Sequence, residues 1–513
     1  MSSAQDGGTA GPLTAHARIG LKSTGLFIFA GRLVSAITGL VFTVMVARWL
    51  APAGFGTWEV IVTLVTFASY PVGIVAYWAT RDVARGRMVG RTALVFGAAL
   101  SALGLGMYFG FTALTYSKVS SVILPFLLGA ILVPLSYWST VTNSIVQGHR
   151  PGVYGYSLVL SEFAKLGVAY EALYVYRLGI EGVIVALMAA YFAQAAISTY
   201  MVRVTFTEKF DPSLTRRWSR LAWVPGLSSL QTVLAVADTF VAAVGFGPAI
   251  VGYYQVAFAV ASVVGYSSAL VLPLYPILLR GGGERLPSVG IEFSLLFAIP
   301  MAVGCSVLAE PILFLFGSRY TPGALGLVGL AAMFAVLTVS GIMDQTLLGT
   351  EKADAREKPS TWELLRSNLS FVPVVNITYG VVYVGSLYAV LSYAFANGFS
   401  VSSSVEAWAA VQLTATVVFM LVKARRARRY GKLMPGMSVV YYAVAAAVMG
   451  TLVYYVSGAV LNQGLGTVEY GAQLLGLGFA GAAVYFGVVY ALDSKFREMA
   501  RALLGRLSAA SRV

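Results

Sequence analysis

Apolar runs of 24–29 residues alternate with short polar or Gly/Pro-bearing segments fourteen times along the 513-residue chain. The runs cover 24–48, 57–80, 91–116, 121–146, 152–176, 179–202, 221–246, 250–278, 289–317, 322–349, 363–391, 398–422, 435–461 and 467–491. A helix rises ~1.5 Å per residue, so each run is long enough to cross ~30 Å of hydrocarbon. The pattern predicts an all-α integral membrane protein with about 14 transmembrane helices. The polar, Gly-rich opening (1–23) has no apolar core of its own and is not expected to be a cleavable signal peptide. The first span is expected to target the chain.

A repeat lies beneath this periodicity. ARWLAPAGFGTW (47–58) separates spans 1 and 2, and AVGFGPAIVGYY (243–254) separates spans 7 and 8. Superposed, Pro52 meets Pro248, Ala53 meets Ala249 and Gly56 meets Gly252. A second anchor follows: NSIVQGHR (143–150) ends span 4 and QTLLGTEK (345–352) ends span 10, matching Gly148 with Gly349. Gly and Pro punctuate many loops, but two anchors with matched topology favour a duplication. Six helices apart and alike in orientation, the copies predict parallel lobes related by an axis along the membrane normal, a recurring transporter design. The predicted divisions are a tail (1–23), an N-lobe (24–202), a linker (203–220), a C-lobe (221–422), a basic loop (423–434), two further helices (435–491) and a basic amphipathic tail (492–513).

Composition agrees with this class. The chain is 58% hydrophobic and 11% charged, with mean hydropathy +0.79, whereas soluble domains carry roughly 25% charged residues. The net charge of +14 raises nucleic acid as a partner, but its placement removes that reading. Of 35 basic residues, 28 lie in the amino terminus, the even-numbered loops and the tail. The positive-inside rule then places both termini in the cytoplasm of a cell whose plasma membrane holds the protein. The cluster KARRARRYGK (423–432) is read as an orientation signal against anionic headgroups or, alternatively, as a landing site for a phosphorylated substrate. In the tail, Phe496, Met499, Leu503 and Leu507 lie three or four residues apart among basic residues, as in a helix on the membrane surface.

Several functions are disfavoured. The outward loops are too short to fold as domains, and the inward ones lack a GxxxxGK[ST] phosphate loop. The two histidines, His16 and His149, are not spaced as a metal pair. One cysteine, Cys305, excludes an intrachain disulfide. No catalytic group, metal site or cofactor is expected.

GRLVSAITGLVFTVMVARWLAPAGFGTW (31–58) resembles the first hairpin of polysaccharide or O-antigen flippases in the multidrug/oligosaccharidyl-lipid/polysaccharide exporter superfamily. Their first helix ends in an ARxLGPxxFG pattern, matched by Ala47, Arg48, Leu50, Pro52, Phe55 and Gly56, with Ala51 where the pattern has Gly. ATRDVARGR (79–87) and ADTFVAAVGFGPAIVGYYQVA (237–257) are also similar. The resemblance covers most of the transmembrane core and weakens after about residue 360. It implies two six-helix lobes around a central cavity, plus two C-terminal helices, and translocation of lipid-linked oligosaccharides by alternating access. A multidrug or organic-cation antiporter of the same superfamily is the alternative, and a membrane enzyme of glycan assembly the third reading. The implied partners are a polyprenyl-(pyro)phosphate-linked saccharide, membrane lipids and, as association candidates, glycan-assembly enzymes. Nucleic acid is not expected, and the chain is expected to act as a monomer.

Ionisable residues within spans are costly and commonly line polar paths. Arg32 shares a helical face with Ser35, Gly39 and Thr43, a small polar stripe that can admit a headgroup with Arg32 as a forked phosphate donor. Snorkelling or helix packing would equally explain the stripe. Glu162 and Lys165 in span 5 form either a self-neutralising pair or a phosphate-and-sugar site. Arg48 and Arg81 border the membrane as further phosphate-binding candidates. Asp238 in span 7, with Gln231 on the same face, is a coupling candidate for H⁺ or Na⁺, with Asp344 and Asn376 as second-lobe partners. The 29 tyrosines and 8 tryptophans are assigned chiefly to interfacial belts.

Overall fold

A computed structural model describes residues 34–501, apart from 36, 150, 272–273, 280–282, 352–365 and 499. Every predicted span in this range coincides with a helix or a broken pair of helices. Among the described residues, ten helices are long and apolar enough to cross a membrane unaided, or eleven if one bent pair counts as a span. The protein is therefore an all-α, multi-pass membrane protein. No strand is present among the described residues. Continuous helix is the expected solution, because in lipid each backbone N–H and C=O must find its partner within the chain.

The described residues divide into two compact units, one reaching Val46 and resuming at Leu64–Ser229, the other comprising Ala47–Thr63 and the chain from Leu230. The first unit contains most of α1 (Ile37–Trp49), the end of α2 (Pro52–Ala68), α3 (Val72–Ala84), α4 (Gly90–Val119), α5 (Leu124–His149), α6 (Pro151–Tyr170), α7 (Gly179–Met201) and the short α8 (Pro212–Arg220). α2 and α3 form one span bent by 57°. The bend falls at Ser69–Pro71, where the ring of Pro71 removes a backbone donor. The amide of Val72 turns to the Ser69 carbonyl, leaving the Ala68 carbonyl without its helical partner. Tyr137 of α5 replaces that partner, its hydroxyl donating to the Ala68 carbonyl at 2.8 Å.

The second unit continues with α9 (Trp223–Phe246), α10 (Pro248–Gly265), α11 (Leu274–Leu279), α12 (Leu286–Val307), α13 (Ala309–Phe316), α14 (Ala324–Gly349), α15 (Asn368–Ala396), α16 (Val401–Ala427), α17 (Ser438–Val460) and α18 (Thr467–Leu492). The last two helices pack on α12 through Leu296, Tyr442, Ala445, Met449, Leu477 and Tyr485. Here the same device recurs. Pro300 within α12 cannot donate to the carbonyl four residues earlier, that of Leu296. The buried Tyr485 hydroxyl of α18 donates to it at 2.8 Å.

These hydroxyls alter the account of the tyrosines. Tyr108, Tyr137, Tyr320, Tyr470 and Tyr485 are buried and donate to backbone carbonyls. They complete backbone hydrogen bonding between helices. Tyr137→Phe and Tyr485→Phe are each expected to lower stability by about 1–3 kcal/mol, the cost of a buried carbonyl left unpaired. Thermal unfolding of the purified protein in detergent measures this.

The repeat anchors are close-packing points. In the first unit, a Cβ on Gly148 of α5 would lie 2.7 Å from the Thr80 carbonyl of α3. In the second, a Cβ on Gly349 of α14 would lie 2.8 Å from Leu278 of α11. In both, the end of the fourth span of a repeat meets the end of its second span at glycine. The other echo packs against itself: a Cβ on Gly56 would collide with the Pro248 carbonyl, and one on Gly252 with the Pro52 carbonyl. Pro52 and Pro248 each open a helix, where a missing N–H costs nothing. Gly247, at φ 93°, supplies the left-handed turn before Pro248.

Candidate functional site

Each unit holds a buried carboxylate within its helical core. In the first, α6 carries Glu162, the helical residues leading into α1 include Ser35, and α1 itself carries Thr38. Ser35 Oγ donates to Glu162 Oε1 at 3.0 Å and Thr38 Oγ1 donates to Oε2 at 2.8 Å. Lys165, one turn along α6, places Nζ 2.6 Å from Oε2 and 5.1 Å from the centre of the Phe42 ring. Three donors thus converge on one carboxylate and join the first span to α6. Ile37 and Val41 of α1 are exposed, while Thr38 lies on the buried face with Phe42 and Val46. An anion approaching Lys165 would compete with Glu162 for its ammonium, whereas a proton on Glu162 would weaken that competition.

In the second unit, α9 carries Asp238. Its Oδ2 accepts from the Tyr383 hydroxyl at 2.7 Å and its Oδ1 from the Thr239 amide at 2.7 Å. Tyr383 Oη in turn accepts from Trp408 Nε1 at 2.8 Å. The Trp408 ring stacks on Tyr254 at 3.7 Å, and the Tyr254 hydroxyl donates to Gln412. Further along, Tyr379 stacks on Tyr383 and its hydroxyl lies 3.2 Å from that of Thr416. Lys423 Nζ reaches Asp344 Oδ2 at 2.8 Å and Ser340 Oγ at 3.2 Å, with Asn376 beside Asp344.

These groups form a ladder. Trp408, Gln412, Thr416 and Lys423 lie on one buried face of α16, and Asn376, Tyr379 and Tyr383 follow one face of α15. The 15 helical steps from Trp408 to Lys423 span about 22 Å. Val418, Leu421 and Val422 point outward from the same helix. The helix is thus polar inside and apolar outside, the arrangement lipid demands. Hydrogen bonds and ring contacts connect the groups from Asp238 to Thr416, and Lys423, Asp344 and Ser340 form a separate cluster at the end of the same helix face.

The predicted residues distribute unevenly over this geometry. Arg32 lies outside the described residues. Ser35, Glu162 and Lys165 come together, while Thr43 donates to the Gly39 carbonyl of its own helix at 2.9 Å. Arg48 Nε donates to the Leu315 carbonyl at 2.8 Å, and the exposed Arg81 covers the Tyr77 ring at 4.4 Å. Gln231 is exposed, whereas Asp238 seven residues later is buried. Asp344 and Asn376 are neighbours, at the Lys423 rung.

Lys423 requires a correction. The charge pattern placed it in a basic loop, but helix continues to Ala427 and turns Lys423 inward to Asp344. Arg426 is also engaged, donating to Asn368 and to the Arg366 carbonyl at the start of α15. The surface-helix reading of the tail concerns residues that mostly lie outside those described. Sequence reasoning missed Thr38, Tyr383, Trp408, Gln412 and Lys423. The four-residue spacing of Trp408, Gln412 and Thr416 in an apolar run was the available signal. Among the described residues, no three His, Cys, Asp or Glu side chains gather as metal ligands.

At the basic end of the first unit, buried Asp82 joins α3 to α8. It pairs with Arg217, accepts from Trp218 Nε1 at 3.0 Å and has Arg87 at 3.8 Å. Asp211 caps α8, and the hydrogen bonds it accepts from Ser213 hold its carboxyl below the usual range.

No family model and no curated protein matches the sequence. Solved structures do. The lipid II flippase MurJ in its inward closed conformation superposes with a TM-score of 0.60 at 13% identity, covering 91% of this chain and 98% of its own. An inward-facing multidrug resistance MATE family transporter of the MOP superfamily gives 0.58 at 16% identity, covering 77% and 95%. A point mutant of the Vibrio cholerae MATE transporter VcmN gives 0.50 at 15%, covering 81% and 98%. At 13–16% identity these likenesses are of fold: the chain has the helical architecture of these three structures.

Proposed function

We propose that the protein is a flippase that moves a polyprenyl-(pyro)phosphate-linked saccharide across the plasma membrane by alternating access. The supporting observation is the extent of likeness to the lipid II flippase, 91% of this chain against 77% for the MATE transporter. A phosphate headgroup needs cationic partners inside the hydrocarbon layer. Lys165 supplies one within the first unit, with Arg32 and Arg81 as further phosphate contacts and Ser35, Thr43 and Glu162 as polar lining; Arg48 and Gln231 belong to the second unit and are separate candidates. Glu162 acts in this reading as the internal counter-ion that the substrate phosphate replaces. The basic face is the cytoplasmic one.

Transport is driven through Asp238, which takes up a proton or sodium ion, with Asp344 and Asn376 farther along the same ladder. The test uses purified protein in proteoliposomes with a fluorescent polyprenyl-diphosphate saccharide and, separately, an organic cation. Gradient-dependent movement of the lipid supports the reading; movement of the cation alone supports the drug-antiporter alternative and defeats it. Asp238→Asn is expected to leave binding within about twofold and to remove gradient dependence, since the amide cannot exchange a proton. Retained dependence would rule out Asp238 as the coupling group.

A further inference from the structure

α8 is nine residues long, yet it is fixed at both ends. At its amino end the Asp211 amide donates to the Thr92 hydroxyl of α4 at 3.0 Å. Toward its carboxyl end Trp218 is fully buried, bonded to Asp82 and 6.4 Å from the Phe96 ring of α4. Arg217 turns toward Asp82 as well. Arg216 does not: it is exposed and has no ion pair among the described residues. With Thr215 and Ser219 it lines one side of a groove of ≈ 470 Å³, whose other side is Val95, Phe96 and Phe210.

The two walls differ in chemistry. Val95 is 47% exposed and is followed on the same face of α4 by exposed Ala99 and Leu103. The apolar wall is therefore continuous with the outward, lipid-facing surface of α4. The opposite wall offers a guanidinium without an internal counter-ion and the Ser219 hydroxyl, while the Thr215 hydroxyl donates to the Pro212 carbonyl at 2.8 Å. Exposed Lys209 and Arg220 raise the positive potential around it. A soluble anion would leave the apolar wall unused, and an acyl chain alone would leave the guanidinium unpaired.

We propose that this groove between α4 and α8 binds one anionic glycerophospholipid. The phosphate engages Arg216 and Ser219, and the first acyl carbons lie on Val95 and Phe96. Because α8 is anchored through Asp82, the bound lipid also ties this short helix to the membrane surface. The proposal is independent of the transported substrate, since the groove opens on the outer face of α4.

Native mass spectrometry of the delipidated full-length protein tests it, with dioleoylphosphatidylglycerol or dioleoylphosphatidylcholine added at graded concentrations. One phosphatidylglycerol is expected to bind first and to survive excess inorganic phosphate. Arg216→Gln is expected to weaken it about fivefold, the contribution of one basic residue at an anionic lipid surface. Val95→Trp, which fills the apolar wall, is expected to remove it, whereas Arg220→Gln on the same helix stays within about twofold. Arg216 is exposed, so its variant should keep the wild-type melting temperature. Equal binding of phosphatidylcholine, displacement by phosphate, or equal losses in Arg216→Gln and Arg220→Gln would overturn the proposal.

Discussion

Gly56→Leu is expected to cost more than about 3 kcal/mol and to leave little monodisperse protein after extraction. Size-exclusion yield and thermal unfolding in detergent measure the loss. At this crossing the amino-terminal turn of α2 lies directly on that of α10, and what a side chain would meet is backbone. The Cβ of any residue at position 56 would run into the Pro248 carbonyl, with the Gly252 amide 3.0 Å away. Backbone cannot rotate aside as a side chain can, so the helices must separate. Tyr320, which donates to the Leu50 carbonyl at 3.1 Å and meets Phe55 edge-on, would be displaced with them. Gly252→Leu should behave alike, because its contact with Pro52 is the reciprocal one. Gly54→Ala is the control: its Cβ would make only ordinary contact with Leu50 at 3.6 Å. It should be neutral or stabilising, by up to about 1 kcal/mol of helix propensity.

Asp344→Ala should be nearly as damaging, at about 3–5 kcal/mol, because it strands a buried ammonium. The Lys423 side chain is 7% exposed and its other neighbour is the neutral hydroxyl of Ser340. Removing both charges in Asp344→Ala/Lys423→Met should restore most of the loss, since Met fills the volume without a charge. Thermal unfolding of the two variants and of Lys423→Met closes a double-mutant cycle. A coupling below about 1 kcal/mol would show that the pair is no more than a surface-like contact. Lys495, 69% exposed and 3.6 Å from Glu292, supplies that surface comparison. Its loss should cost less than about 1 kcal/mol.

The different fates of these two lysines show how far charge patterning reaches. Counted along the chain, both belong to the basic face, and for topology that count is useful. It does not reveal that Lys423 sits on the same side of α16 as Trp408, Gln412 and Thr416. That knowledge requires the helix to run on through Ala427 and α14 to bring Asp344 opposite. Glu162 and Lys165 were legible as a pair because one helical turn separates them. Their hydroxyl partners on the first span were only half legible: Ser35 was singled out, and Thr38 was not. Asp238 stood out as a lone carboxylate in an apolar run. Its partner Tyr383 is 145 residues away, and no local period connects the two.

By itself the sequence determined that the chain is helical and embedded, because length, apolarity and charge asymmetry are properties of each segment against bilayer and water. It also determined that the chain repeats itself, since Pro52–Gly56 and Pro248–Gly252 share residues at fixed spacing. Tertiary structure alone decided that these two segments touch, that Tyr137 and Tyr485 complete helices broken elsewhere, and that the interior polar groups align as a ladder. The physical reason is the same in each case. A buried donor, acceptor or charge must be satisfied, but which distant residue satisfies it depends on how helices pack, and packing has no period along the chain.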